Sequence, residues 1–107
     1  MRMFKGKQFS RWAASEAIGD DDLCQAAAEA FAGQFDADLG GYLFKQRIAR
    51  RDSGKSGGYR TILGFKKSDS SRIFFLYGFP KNALANITTR ERAALSTNAV
   101  ALISASD

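Results

Sequence analysis

Residues 43–81 have the sequence LFKQRIARRDSGKSGGYRTILGFKKSDSSRIFFLYGFPK, which predicts three neighbouring strands of one sheet. This stretch holds ten of the 16 Lys and Arg residues of the chain and only two carboxylates, Asp52 and Asp69. Its net charge is therefore +8, although the whole chain carries only +5. Because clustered cations repel one another until an anion neutralises them, the stretch predicts a basic sheet that binds an anion.

Alternation along the first of these strands, predicted over residues 42–51, assigns its side chains to two faces. Phe44 and Ile48 point one way, whereas Lys45 and Arg47 point the other way. One face of the strand is thus mostly apolar and the other mostly basic.

The second and third strands follow after a glycine-rich segment, DSGKSGG, whose composition predicts a loop over residues 52–58. The second strand alternates Tyr59, Thr61 and Leu63 with Arg60 and its neighbours. The third, RIFFLYGF over residues 72–79, is apolar on both faces, which is typical of an interior strand.

Helical spacing predicts helices on both sides of this sheet-forming stretch. Residues 2–4 predict a short edge strand, residues 7–18 a first helix, and Asp20–Asp22 the cap and acidic first turn of a second helix. A Thr88–Glu91 capping box predicts a last helix that ends near residue 102. The inner faces expected for the three helices are Phe9, Trp12, Ala13 and Ala17; then Cys24, Ala27, Ala28, Phe31 and Phe35; then Leu95, Ala99 and Leu102.

Composition limits the chemistry that a single domain of 107 residues can perform. Cys24 is the only cysteine, which excludes an internal disulfide and a cysteine-based metal cluster, and we expect it to pack rather than to react. The chain has no histidine, so any catalysis must use Lys, Arg, Tyr, Asp or Glu. No apolar run is long enough to span a membrane and no signal peptide is evident, so we expect a cytoplasmic protein.

Gly54, Lys55 and Ser56 form a GKS triplet that resembles part of a nucleotide-binding P-loop. The full motif needs a glycine where this chain has Ala49, and it needs a helix after the loop, where this chain predicts a strand. The pattern therefore indicates a hairpin loop, whose backbone N–H groups can still contact an anion.

The basic side chains of adjacent strands are expected to converge in one concavity. Lys45, Arg47 and Arg51 lie on the first strand, Arg60 on the second, and Lys81 just past the third. Solvated charge is the ordinary explanation for one such strand, but several neighbouring strands with few carboxylates favour a polyanion. Three aromatic residues near these charges, Tyr59, Tyr77 and Phe79, are candidates for stacking on unpaired bases, although the pattern favours a core position for each one taken alone.

Such a cluster can also cleave RNA without histidine and without a metal or cofactor. Attack by the 2′-OH on the neighbouring phosphate requires stabilisation of the phosphorane, and Arg60 is always cationic. A lysine crowded by other cations has a lowered pKa, which makes Lys45 and Lys81 candidates for proton transfer.

The run DADLGGYLFKQRIARRDSGKSGGYRTILGFKKSDSSRIFFLYGFPKNALANIT resembles the HigB-type branch of the RelE/ParE superfamily, the toxins of bacterial type II toxin–antitoxin modules. The pairing of GKSGGYRT with FLYGFPKN is the specific part of this resemblance. It implies one RelE-like α+β domain over residues 1–107, with two N-terminal helices packed on a small, twisted, mainly antiparallel sheet, and with a C-terminal helix. Some RelE-type toxins place a catalytic tyrosine near the start of the final segment, where this chain has Asn86, Ile87 and Thr88.

The resemblance also implies a ribosome-dependent mRNA endoribonuclease that inhibits translation and arrests growth, and a cognate antitoxin that often carries a helix-turn-helix DNA-binding domain. The alternatives are a ParE-like inhibitor of DNA gyrase and a non-catalytic RNA-binding regulator with the same fold. The expected catalytic residues are Arg60, Lys81, Lys45 and Tyr77, and the expected RNA-binding residues are Arg47, Arg50, Arg51, Lys55, Ser56, Tyr59 and Phe79.

Overall fold

The computed structural model describes residues 2–50, 54–80 and 89–104, and at residues 49–50, 54–57 and 69–71 it describes the backbone alone. These residues form five strands and three helices. In chain order the elements are β1 (Arg2–Lys5), α1 (Lys7–Ser15), α2 (Asp20–Phe31), β2 (Ala37–Gly40), β3 (Leu43–Arg50), β4 (Gly54–Lys66), β5 (Asp69–Pro80) and α3 (Thr89–Ser104).

The five strands form one sheet in the order β1-β5-β4-β3-β2. Only β1 runs parallel to its neighbour β5, and the other three pairings are antiparallel. The expected α+β fold with a mainly antiparallel sheet is therefore confirmed, as are the edge position of the first strand and the interior position of β5.

Helices lie on both faces of this sheet. The α1/α2 face carries the larger core, in which Phe9 of α1 and Leu23 of α2 pack with Phe44, Leu63 and Phe75. The opposite face, called here the α3 face, carries a smaller core of Leu43, Ile62, Phe79 and Ala99. Because α3 contacts β3, β4 and β5, it crosses the three strands that the basic stretch provides.

Helix α1 is shorter than predicted because the chain turns sharply after Ser15. Ala17 adopts a left-handed φ of 58°, and the N–H of Ile18 donates to the carbonyl of Ala13 at 2.9 Å. Helix α2 then begins with Gly19 as its N-cap, and the Asp22 carboxylate accepts the Gly19 N–H at 3.1 Å. The acidic first turn is confirmed, but glycine rather than aspartate occupies the cap position.

The predicted inner faces of α2 and α3 are confirmed in part, because Ala27, Phe31 and Phe35 of the first set and Leu95 and Ala99 of the second pack on the cores. In α2 the buried residues are Leu23, Ala26, Ala27 and Ala30, so Cys24 and Ala28 are exposed instead. In α3, Ala99 is buried and Ile103 packs beside it, whereas Leu102 is exposed. One residue rotates a helical position by about 100°, which is enough to move a side chain from the core to solvent. The predicted capping residue Thr88 lies outside the described residues.

Two features of the sheet were not predicted from the sequence. The sequence predicts no strand at β2, and β4 begins at Gly54, inside the predicted loop. The backbone pairing of Arg50 with Gly54 extends the β3–β4 ladder to this point. The β3–β4 hairpin is consequently longer than the glycine-rich composition of residues 52–58 suggests.

The glycine of FLYGFPK allows α1 to approach the sheet. A Cβ atom on Gly78 would overlap Cζ3 and two other atoms of the Trp12 ring. The Trp12 ring is also held edge-on against the Tyr59 ring, with 5.5 Å between the centroids. A side chain at position 78 must therefore displace the indole or move α1.

We expect Gly78→Ala to lower the free energy of unfolding by about 1–3 kcal/mol, because extra atoms in a packed core force side chains or backbone to shift. Urea unfolding, followed by the fluorescence of Trp12, measures this free energy. Gly6→Ala is the control, since no atom lies within 4 Å of the added Cβ and its cost should be limited to weaker capping of α1 by alanine. Equal stabilities of the two variants would contradict the close approach of α1.

Candidate nucleic-acid interface

The register of β3, β4 and β5 brings cations from separate strands into two neighbouring rows. Lys45 lies opposite Ile62, which lies opposite Tyr77. In the next row Arg47 lies opposite Arg60. Side chains directly opposite one another in an antiparallel pair share a face, so these residues all lie on the α3 face. We call Lys45, Arg47, Arg60 and Tyr77 the basic face.

The members of the basic face differ in their access to solvent. Arg47 is exposed and Tyr77 is 37% exposed, whereas Lys45 is half-buried and the Arg60 side chain is only 16% exposed. Arg47 makes no side-chain ion pair with another residue that the structure describes. Arg47 and Tyr77 are therefore directly accessible to an anion on this surface, whereas Arg60 lies deeper and is less accessible.

Arg60 is fixed by a carboxylate that the sequence did not indicate. Its Nε–H donates to Oδ2 of Asp36 at 2.9 Å, and one Nη–H donates to the carbonyl of Tyr59 at 3.3 Å. Asp36 is itself tied to β3, because its N–H donates to the carbonyl of Lys45 at 2.8 Å. The expectation of few carboxylates near the cations is thus wrong for Arg60, and it failed because Asp36 immediately precedes the unpredicted strand β2.

The ion pair has a clear electrostatic reason. Arg47 and Arg60 are directly opposite on adjacent strands, and like charges in that position destabilise a sheet. The carboxylate of Asp36 offsets this repulsion at Arg60 and leaves Arg47 with an exposed positive charge. The basic face therefore combines one constrained cation with one that is accessible to a ligand.

Tyr77 and Phe79 are neighbours on β5 with different surroundings. Their ring centroids lie 5.7 Å apart, and Phe79 is only 4% exposed because it packs with Leu43, Ile62 and Ala99. Phe79 is therefore not available to stack on a base, contrary to the prediction. It supports the exposed Tyr77 ring from the core side.

Tyr59 is not on the basic face either. It is 4% exposed on the α1/α2 face, where its hydroxyl donates to Oε1 of Glu16 at 2.8 Å. This burial shows that the predicted role of Tyr59 in stacking on RNA bases is wrong. The alternation of Tyr59 with Arg60 was the signal in the sequence that these two residues face opposite ways.

The remaining predicted site residues cannot be placed as side chains. Arg50, Lys55 and Ser56 lie where the backbone alone is described, and Arg51 and Lys81 lie outside the described residues. Their roles stay predictions.

A second carboxylate of the β2 region provides a comparison for Asp36. Asp38 accepts the Gly40 N–H at 3.0 Å and pairs with Lys67 at 3.2 Å, at an exposed site away from the basic face. The Gly40 N–H, and then Lys67, hold the pKa of Asp38 below its ordinary value. Its contribution to stability is present above the pKa of the unfolded chain and is lost as the pH falls through the lower folded-state pKa.

The whole chain, residues 1–107, matches the family model described as the RelE toxin of the RelE/RelB toxin–antitoxin system. The chain belongs to the RelE toxin family. This confirms the superfamily inferred from the GKSGGYRT and FLYGFPKN segments, and it supports a toxin with a cognate antitoxin as its partner. No curated protein shows significant sequence similarity to this RelE family member. No helix in the described part of the toxin combines the length and apolarity needed to cross a membrane.

We expect Asp36→Asn to lower the free energy of unfolding by about 1–2 kcal/mol, because the half-buried Arg60 guanidinium loses its charged partner. Asp38→Asn makes the same chemical change at the exposed Lys67 pair and should cause a smaller loss. Urea unfolding at neutral pH compares the two variants. A larger loss for Asp38→Asn would contradict the structural importance of the Asp36–Arg60 pair.

Proposed function

We propose that this toxin is an mRNA endoribonuclease that acts on translating ribosomes and thereby inhibits translation. The observation that carries the proposal is the convergence of Lys45, Arg47, Arg60 and Tyr77 in two adjacent rows of one sheet face. Cations from two strands suit a bent polyanion, and an exposed aromatic ring suits an unpaired base. Membership of the RelE toxin family agrees with this combination.

The proposed reaction uses the 2′-OH of the RNA itself as the nucleophile. The 2′-oxygen forms a bond to phosphorus as its proton leaves, the bond from phosphorus to the 5′-oxygen breaks, and that oxygen takes up a proton. The products are a 2′,3′-cyclic phosphate and a 5′-hydroxyl. Negative charge accumulates on the phosphoryl oxygens in between, so a fixed cation close to them lowers the barrier.

Arg60 is assigned to stabilise that charge, since a guanidinium stays protonated and can offer several N–H donors to one phosphate. Lys45, Lys81 and Tyr77 are the candidates for proton transfer to or from the reacting oxygens. Lys45 and Tyr77 flank Ile62 in one row, adjacent to the row that contains Arg60. This arrangement supports a shared site for charge stabilisation and proton transfer.

The other cations are assigned to RNA binding. Arg47 lies beside Arg60 and is exposed, so it suits a neighbouring phosphate. Arg50, Arg51, Lys55 and Ser56, in and beside the β3–β4 hairpin, extend the expected path of the RNA backbone. The proposed partners are mRNA, the ribosome in the cytoplasm, and a helix-turn-helix antitoxin.

Induction of the toxin in bacteria tests the proposed cleavage. We expect wild-type chain to arrest growth and to produce new mRNA ends within coding regions, and we expect Lys45→Ala/Arg60→Ala to abolish both effects. Primer extension maps the ends. Lys7→Ala/Arg11→Ala removes the same amount of charge from exposed positions of α1 and should behave as wild type.

Each outcome of this experiment is informative once thermal unfolding shows that both double variants are folded. Growth arrest with intact mRNA would refute cleavage and make DNA gyrase the leading target. If the wild-type chain causes no growth arrest, its proposed toxicity is refuted and a non-catalytic RNA-binding role becomes the leading alternative. New ends that persist in Lys45→Ala/Arg60→Ala would place the active site elsewhere.

Binding of a single-stranded RNA oligonucleotide tests the basic face without cleavage. Each phosphate contact on a single strand contributes about 0.7 to the slope of log affinity against log salt concentration. Lys45→Ala/Arg47→Ala should therefore reduce that slope by about 1.4, as measured by fluorescence anisotropy. An unchanged slope, with a reduction in Lys7→Ala/Arg11→Ala instead, would assign RNA binding to the helical side.

A further inference from the structure

We infer that Asp36 is a positioning residue for Arg60. Its carboxylate holds the Arg60 guanidinium in the orientation needed to contact the scissile phosphate. The inference rests on the proposed nuclease function and adds a carboxylate to a site otherwise built from cations and tyrosine. It is carried by the contacts of Arg60, not by charge alone.

Two contacts at different atoms fix the plane of the Arg60 guanidinium. Nε–H donates to Asp36 at 2.9 Å on one edge, and an Nη–H donates to the Tyr59 carbonyl at 3.3 Å. Because the guanidinium is planar and rigid, two such bonds leave it little rotational freedom. The remaining Nη–H donors then have a defined direction before any ligand arrives.

Asp36 is itself well placed to act as an anchor. Its backbone N–H donates to the Lys45 carbonyl at 2.8 Å, so the carboxylate is carried by main chain that is bonded to β3. Its side chain is 32% exposed, compared with 16% for Arg60, so the pair lies partly out of solvent. Charge-assisted hydrogen bonds in such a setting are stronger than those of an exposed pair.

This anchoring matters because a free arginine carries considerable rotamer entropy, which it would otherwise lose during the reaction. A small misplacement of a group that stabilises the transition state is enough to reduce the rate by about 100-fold. Asp36 would thus act on the rate through Arg60, without itself contacting the RNA.

The same contact allows an opposite role, in which the carboxylate of Asp36 occupies Arg60 and competes with the phosphate. The two roles predict different changes in RNA affinity and cleavage rate when the Asp36 carboxylate is removed. Removal of a competitor strengthens RNA binding and preserves or raises the rate, whereas removal of an anchor lowers the rate with little change in affinity.

Single-turnover cleavage of mRNA on purified ribosomes, combined with RNA-binding measurements, distinguishes these roles. We expect Asp36→Ala to slow cleavage about 10–100-fold with less than about a threefold change in RNA affinity. Asp36→Asn, which keeps an oxygen acceptor for Nε–H, should recover part of the rate. Asp38→Asn is the matched control and should cleave as wild type.

A double-mutant cycle tests whether Asp36 acts through Arg60. In an Arg60→Ala background, Asp36→Ala should cause no further loss, because there is no guanidinium to orient. Multiplicative losses would overturn the inference and indicate a separate role, such as proton transfer. Faster cleavage or tighter RNA binding by Asp36→Ala would overturn it in favour of competition.

NMR of the Arg60 Nε–Hε group provides a measurement that does not depend on activity. The wild-type signal should be protected from exchange with water, and Asp36→Ala should abolish that protection while Asp38→Asn leaves it intact. If the wild-type chain cleaves no RNA, the proposed nuclease function fails. Positioning by Asp36 is then judged on this signal, and an Arg60 resonance unchanged by Asp36→Ala would refute it.

Discussion

The antiparallel pairing of β3 with β4 is the constraint on which both the core and the candidate site depend. Because side chains alternate along each strand, the register that buries Phe44 against Leu63 also places Arg47 opposite Arg60 on the other face. A slip of one residue would exchange the two sets and bury the cations. The hydrophobic effect that stabilises the α1/α2 face therefore also keeps the basic residues together.

The helices complete this arrangement by covering the two faces unequally. Trp12 of α1 lies directly over Gly78, and Ala99 of α3 lies over Gly64, so both helices approach the sheet where a strand lacks a side chain. Helix α3 packs on the apolar rows of its face, and Arg47 and Tyr77 remain exposed on that same face. Asp36 then offsets the repulsion between the paired arginines, so a partly buried cation persists beside a ligand-accessible one.

Much of this could be predicted from the sequence, because period-two alternation is a strong signal in FKQRI and YRTIL. It placed Lys45, Arg47 and Arg60 on one face correctly. Short or context-dependent features could not be predicted: β2 has only four residues, too few for the alternation of Ala37 and Leu39 with Asp38 to identify a strand, so the partnership of Asp36 with Arg60 was hidden. The burial of Phe79 depends on where α3 crosses the sheet. The inner face of α2 is poorly defined in the sequence because alanines lie on both its buried and its exposed sides.

The most direct test of this RNA site is NMR mapping of the contact surface on the intact protein, with a short single-stranded RNA that carries a 2′-O-methyl group at each position to prevent cleavage. We expect the largest shift changes at Lys45, Arg47, Arg60 and Tyr77, with little change along α1 and α2. Changes centred on Lys7 and Arg11 of α1, with the basic face unaffected, would contradict the claim that the register of β3, β4 and β5 builds the RNA site.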